Sequence, residues 1–287
     1  MKRLLLLISL CLALCIDGRG ENALLRGNSV AQDTLASPQL NSSKLAKLDS
    51  LLENYYASMI YEPLSVKYGE CDFLIESCKD SLVRSWVTGR IIKHYMEPPL
   101  MGEEAVQIYV YDKWVRSGTV SLDDEWLDFE ARLFADFNRS SLLGMEAPVI
   151  EMLAPVGSEK VSIPERGTSS VIYFYDTSCS KCRVTSIMLP YTLEDVDFPL
   201  NLYLVYCGSD GDEWAEFRSS FSCSNANVRT VHLWDPEVSS DYQKLYGVLA
   251  TPRMFFVDGD GIIQGRRLDV DSLSQILAVY TTAAVLE

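Results

Sequence analysis

From Lys44 to about Ser140, apolar side chains recur every three or four residues, the period of a helix that buries one face. Leu45, Leu48, Leu52, Tyr55 and Met59 form one stripe. Ile75, Cys78, Leu82, Trp86, Gly89 and Met96 form a second, ended by Pro98-Pro99, because proline has no N–H to continue a helix. A third helix is predicted over Glu103 to Arg116 with Val106, Val110 and Trp114 inward, and a fourth carries Trp126, Phe129, Leu133 and Phe137. Residues 44–140 therefore read as an all-α domain. From Gly144 the pattern changes to short β-rich runs, each followed by a helical one: "VIYFYD" then Cys182 to Leu193, "LNLYLVY" then "DEWAEFRSSF", "TVHLW" then "SSDYQKLYG". The last pair is "RMFFVDGDGIIQGRRL" and "DSLSQILAVYTTAAVL", in which "DGDG" at Asp258 to Gly261 turns two strands into a hairpin. Such alternation predicts a parallel sheet covered on both faces, closed by an antiparallel hairpin and a last helix. The fold class expected is an α/β C-terminal domain over 144–287, preceded by the helical domain.

The ends and the charge add location. Lys2 and Arg3 precede an apolar run from Leu4 to Cys15, then polar residues. This is the layout of a secretory signal, expected over 1–20, and the run is too short to span a bilayer. Residues 21–43, rich in Asn, Ser, Gln and Gly, read as a flexible tether. Leu12 to Cys15 resembles a lipoprotein box with a possible lipid anchor at Cys15, but Leu14 stands where that motif wants a small residue. Cleavage after Cys15 or Gly20 competes with it. The net charge of −15 argues against a nucleic-acid partner, since phosphate binding needs clustered Lys and Arg. There is no glycine-rich phosphate loop and no Ser–His–acid arrangement. Once Cys11 and Cys15 are assigned to the signal, six cysteines remain, an even number that export would allow to pair.

Candidate chemistry lies in "YFYDTSCSKCR", Tyr173 to Arg183. Sites in open α/β sheets gather at the carboxyl ends of strands. Cys179 falls just past such an end and Cys182 one turn into the next helix. A cysteine there faces unpaired N–H groups and the positive end of the helix dipole, which favour the nucleophilic thiolate. Lys181 adds a nearby positive charge. The chemistry implied is attack by Cys179 on a partner's disulfide and resolution by Cys182.

Gly144 to Pro148, the C-x-x-C, "YGVLATPRMFFVDGDGII" and the ending "RRLDVDSLSQIL" resemble TlpA/ResA-like thiol–disulfide oxidoreductases of the thioredoxin-like superfamily, over residues 144–287. The segments "ESCKDSLVRSWV" and "ARLFADFNR" resemble a helical domain of unknown function that precedes thioredoxin-like domains in exported Gram-negative proteins. The resemblance implies Cys179 as nucleophile, Cys182 as resolving thiol, and Thr251 with Pro252 as the cis-proline loop that contacts substrate. It further implies disulfide reduction in the periplasm, with client proteins and an upstream electron donor as partners. No cofactor and no metal are expected. Three features depart from the family pattern. Ser178 replaces the usual Trp, Tyr173 stands where thioredoxins keep a buried acid, and Ser180-Lys181 matches none of the common intervening dipeptides. Asp176 is the nearest carboxylate in sequence.

Other readings stay open at this stage. The two cysteines could form an inert disulfide or half a zinc site, although only His94 and His232 could complete the latter. Cys78 fits a helix core, and Cys71 could bridge to it only from a preceding loop. Cys207 reads as a buried strand-end residue or a third thiol near the site, and Cys223 falls at the far end of the next helix. His232 fits a core strand, Trp214 a helix core or the site rim. The acidic run from Asp210 to Glu213 fits a helix start. The competing function is a non-catalytic binding or assembly module on the same scaffold.

Overall fold

The computed structural model describes residues 42–155 and 160–284. The expected signal, Cys15 and nearly all of the tether lie outside the described residues. The chain divides into two compact units, one up to Leu133 and one from Phe134 onward.

In the first unit the helices are α1 (Ser42–Met59), α2 (Leu64–Ser77), α3 (Ser81–Met96) and α4 (Glu104–Val110). The chain then runs on as a π-helical turn over Tyr111–Arg116, and α5 (Glu125–Asn138) begins in this unit. Leu48, Leu52, Tyr55 and Met59 are buried as their spacing predicts. The second predicted stripe is not one helix. Cys78 caps the end of α2, and the Asp80 carboxylate accepts the Leu82 and Val83 N–H groups to start α3. This cap resets the helical phase, so Val83, Val87, Ile91 and Tyr95 are buried, not Leu82 and Trp86. On α5 the inward positions include Ala131, whereas Trp126 and Phe129 are exposed. Sequence hydrophobicity favoured the larger side chains, but the smaller one fits the close approach to α4, where Gln107 Nε2 donates to the Ala131 carbonyl at 3.0 Å.

Two polar devices hold this unit. The Asp72 carboxylate on α2 accepts from Tyr109 (2.6 Å), Lys113 (2.8 Å) and Trp114 (2.8 Å). Partial burial opposes ionisation of Asp72, yet these hydrogen bonds and the Lys113 charge hold its pKa below the usual carboxylate value. Deeper in, Lys67 forms an ion pair with Glu103 and donates to the Ile60 carbonyl at 3.0 Å.

The second unit is built on a seven-stranded sheet. Its strands are β1 (Ile150–Leu153), β2 (Lys160–Ile163), β3 (Ser169–Tyr175), β4 (Leu200–Tyr206), β5 (Val228–Trp234), β6 (Arg253–Val257) and β7 (Ile263–Arg266). Their order is β2-β1-β5-β4-β3-β6-β7. The centre, β5-β4-β3, is parallel, and β6 and β7 continue it antiparallel. Both crossovers in the parallel part contain helices, α6 (Ser180–Thr192) and α7 (Gly211–Ser220). The short α8 (Tyr242–Leu245) precedes β6, and α9 (Val270–Ala284) closes the unit. β4 is buried along its whole length and β3 along all but its first residue, as expected for strands covered on two sides.

One core contains Tyr173, Cys182, Leu189, Leu204, Phe256 and Leu273, and the opposite core contains Ile172, Phe174, Tyr203, Val205, Tyr246 and Phe255. The hairpin turn is as expected: Gly261 takes φ +86°, and Asp258 Oδ1 accepts the Asp260 and Ile262 N–H groups. The β1–β2 pair was not foreseen. Each strand has four residues, with exposed positions on both, so neither gives a clear period.

Removing one partner of a buried ion pair leaves the other charge unpaired. Glu103→Ala should cost about 3–5 kcal/mol in urea denaturation, whereas Lys67→Met with Glu103→Leu should cost far less. Equal losses would show that the pair does not act as a unit.

Candidate active site

Cys179 owes its position to the junction of β3 and α6. After Tyr175 the chain turns through Asp176 to Ser178. Asp176 Oδ1 accepts the Ser178 N–H (2.8 Å) and hydroxyl (2.6 Å), and its carbonyl accepts the Cys179 N–H at 3.2 Å. Cys179 is the N-cap of α6, with φ −79° and ψ 117°. Its Sγ accepts the Cys182 N–H at 3.3 Å, taking the role that Ser or Asp oxygen plays in ordinary caps. Pro190 lies within α6, which ends two residues later.

The other wall comes from the sheet register. β6 runs antiparallel to β3 with Phe174 opposite Arg253 and Tyr173 opposite Met254. The residues before Arg253 therefore lie at the carboxyl end of β3. There the Thr251–Pro252 bond is cis, and the Cys179 thiol donates to the Thr251 carbonyl at 3.4 Å. Cys179, Cys182, Thr251 and Pro252 are thus brought to one edge of the sheet.

The two thiols have different environments. Burial opposes ionisation of Cys179, but hydrogen bonds with the Cys182 thiol and N–H, with the Thr251 side chain and with the Lys181 N–H outweigh it, and its pKa lies below the ordinary value. Cys182, 1% exposed, is pushed up to about 11 by burial and by its hydrogen bond with Cys179. The Lys181 side chain is exposed; its backbone is what meets the sulfur. Tyr173 is buried beneath the pair. Its hydroxyl donates to the Cys182 carbonyl at 3.0 Å and lies 3.5 Å from Ser186 Oγ, bracing the first turn of α6.

Beside the cysteines opens a cavity of ≈ 480 Å³ whose lining includes Asp176, Ser178, Cys182, Glu213, Glu216 and Phe217. Thr177 hydrogen-bonds Glu213 across it. Sequence reasoning placed Glu213 only as a helix-start residue. The missed signal was topological: β3 and β4 are parallel neighbours, so the helices that follow them start at the same edge.

The remaining sequence candidates lie elsewhere. All six described cysteines are free thiols. Cys71 is inside α2 and Cys78 at its end, both buried. Cys207 follows β4 and packs against the core on the opposite side of the sheet from Cys182, its thiol pushed up to about 12 by burial. Cys223 packs on the Cys182 side beyond α7. His232 packs edge-on against Phe217 and Phe221, its pKa lowered to about 4 by burial and then by Arg218. Trp214 is in the core against Trp234.

No family model and no curated protein matches the sequence. Among solved structures, a thioredoxin-like protein from Bacteroides caccae matches with TM-score 0.63 at 12% identity, over 82% of this chain and 84% of that one. The sheet unit has a thioredoxin-like fold. Weaker matches are the thioredoxin domain of a thiol-disulfide oxidoreductase from Bacteroides vulgatus and a thiol:disulfide interchange protein from Bacteroides sp. The first has TM-score 0.43 and 20% identity over 50% of this chain and 99% of that one. The second has TM-score 0.40 and 24% identity over 50% and 92%. In this thioredoxin-like unit the pair sits where β3 feeds α6, with Thr251-Pro252 facing it.

A lowered pKa means that more Cys179 is thiolate at pH 7 than in an ordinary cysteine, whereas Cys182 stays protonated until pH nears 11. Iodoacetamide should therefore label Cys179 of the reduced protein at least about tenfold faster than Cys182 at pH 7. Peptide mapping that found equal rates would refute this division.

Proposed function

We propose that the protein is an exported thiol–disulfide oxidoreductase that reduces disulfides of client proteins through Cys179 and Cys182. The observation that carries this reading is the placement of Cys179 Sγ at the N-cap of α6, 3.3 Å from the Cys182 nitrogen and 3.4 Å from the Thr251 carbonyl oxygen.

The Cys179 thiolate attacks one sulfur of the client disulfide, and the other client sulfur leaves as a thiolate. The product is a mixed disulfide with Cys179. Cys182 then passes its proton to the client thiolate released in the first step and attacks Cys179 Sγ. This forms the Cys179–Cys182 disulfide and releases the second client sulfur as a thiolate, which takes a proton from water. Two electrons have passed to the client, so a dithiol donor upstream must reduce the pair again. Thr251 and Pro252 form the edge on which the client chain rests. Tyr173 holds the Cys182 backbone rather than taking its proton.

Export rests on the signal-like start of the chain, and among the described residues no helix is long and apolar enough to cross a membrane. Placement in the periplasm, free or lipid-tethered at Cys15, and the direction of electron flow rest on the sequence resemblance.

Two substitutions separate this from a non-catalytic scaffold. Cys182→Ser should trap the client on Cys179 as a mixed disulfide seen by mass spectrometry. Cys179→Ser should lower disulfide reduction by more than about a hundredfold while leaving the fold intact. Retention of turnover by the Cys179→Ser protein would overturn the reading.

A further inference from the structure

The outer face of α6 is apolar and, among the described residues, exposed. Val184, Ile187, Met188 and Tyr191 are 63%, 66%, 44% and 69% exposed. Their i, i+3, i+4, i+7 spacing makes a single stripe, directly opposite the Cys182, Ser186 and Leu189 face that enters the core. The helix therefore carries two apolar faces, and the unit itself covers one.

The charges at the two ends of α6 are also reversed from what an isolated helix favours. Lys181 and Arg183 are exposed in its first turn, and Glu194 and Asp195 are exposed just beyond its last residue. A helix dipole prefers acids at the start and bases at the end. The Lys181 end does sit beside the Cys179 sulfur, but nothing comparable explains the acidic end. A second, antiparallel copy of the same helix accounts for both. A two-fold axis passing between Ile187 and Met188 sets Val184 of one protomer against Tyr191 of its partner, and Ile187 against Met188. The same axis lays the Lys181 end of each helix beside the Glu194–Asp195 end of the other. Across this axis the small Val184 meets the large Tyr191 and Lys181 meets Glu194, in the self-complementary way an isologous contact requires.

We propose that the protein self-associates through this face of α6, forming a two-fold dimer with the two helices antiparallel. Cys179 lies on the flank of the helix turned toward Thr251, away from the stripe, so each active site stays open in the pair. Four side chains cover far less than the roughly 800 Å² per partner of a standard interface. The dimer is accordingly a weak and reversible one.

Sedimentation velocity of the purified protein from about 1 to about 200 μM should show a monomer–dimer equilibrium that Ile187→Lys weakens at least about thirtyfold. Ile187 is exposed, so this change leaves the folded monomer in place, and circular dichroism checks that it does. Lys181→Glu should weaken the dimer at least about fivefold, and Lys181→Glu combined with Glu194→Lys and Asp195→Lys should restore it. A protein that stays monomeric throughout, or a dimer unaffected by Ile187→Lys, would overturn the proposal. A dimer that loses affinity in Lys181→Glu without recovery in the combined variant would overturn the antiparallel arrangement. None of these readouts depends on redox activity.

Discussion

The site depends on a sulfur atom occupying the position of a helix cap. The first N–H groups of a helix have no partner within it, and something must accept from them. At the start of α6 that acceptor is Cys179 Sγ, which takes the Cys182 N–H. A thiolate satisfies this demand better than a thiol, so the local folding requirement and the chemical requirement are met by one interaction. The rest of the unit serves to place it. β3 is sealed between two cores and cannot slide, and the register of β6 beside it delivers Thr251 to the opposite side of the sulfur.

The same junction separates the properties of two thiols three residues apart. Cys179 is half-exposed at the cap, while Cys182, one turn along, points into the core among Tyr173, Leu189 and Phe256. Burial raises one thiol and helix-end hydrogen bonds lower the other. Tyr173 fits this division. A buried carboxylate under Cys182 would have introduced a charge, whereas the phenol supplies a neutral donor to the Cys182 carbonyl and is itself pushed above its ordinary pKa by burial. Asp176 stays at the surface turn and caps Ser178.

How much could be read from the chain varied with the length and regularity of each element. β3 carries the apolar run Val171 to Tyr175, β4 is apolar apart from Asn201, and "DGDG" between two strands is a strong turn signal, so the centre of the sheet and its hairpin were legible. So was the association of Cys179 with the strand–helix junction. The four-residue β1 and β2 were not, because each is too short to set a period and carries exposed positions. The helical unit was legible as helices but not in phase: Asp80, an inconspicuous acid between two apolar stretches, starts a new helix and rotates every later position. The rim residues Thr177, Glu213 and Glu216 were hidden for another reason. They meet only because β3 and β4 are neighbours, which strand order decides and local sequence does not.

The most direct test is an equilibrium redox titration of the protein in graded dithiothreitol or glutathione buffers, with alkylation and peptide mapping at each potential. The account predicts that Cys179 and Cys182 change state together as one two-electron couple, while Cys71, Cys78, Cys207 and Cys223 remain thiols throughout. Cys179 and Cys182 remaining reduced under every condition, or titrating separately, would contradict it.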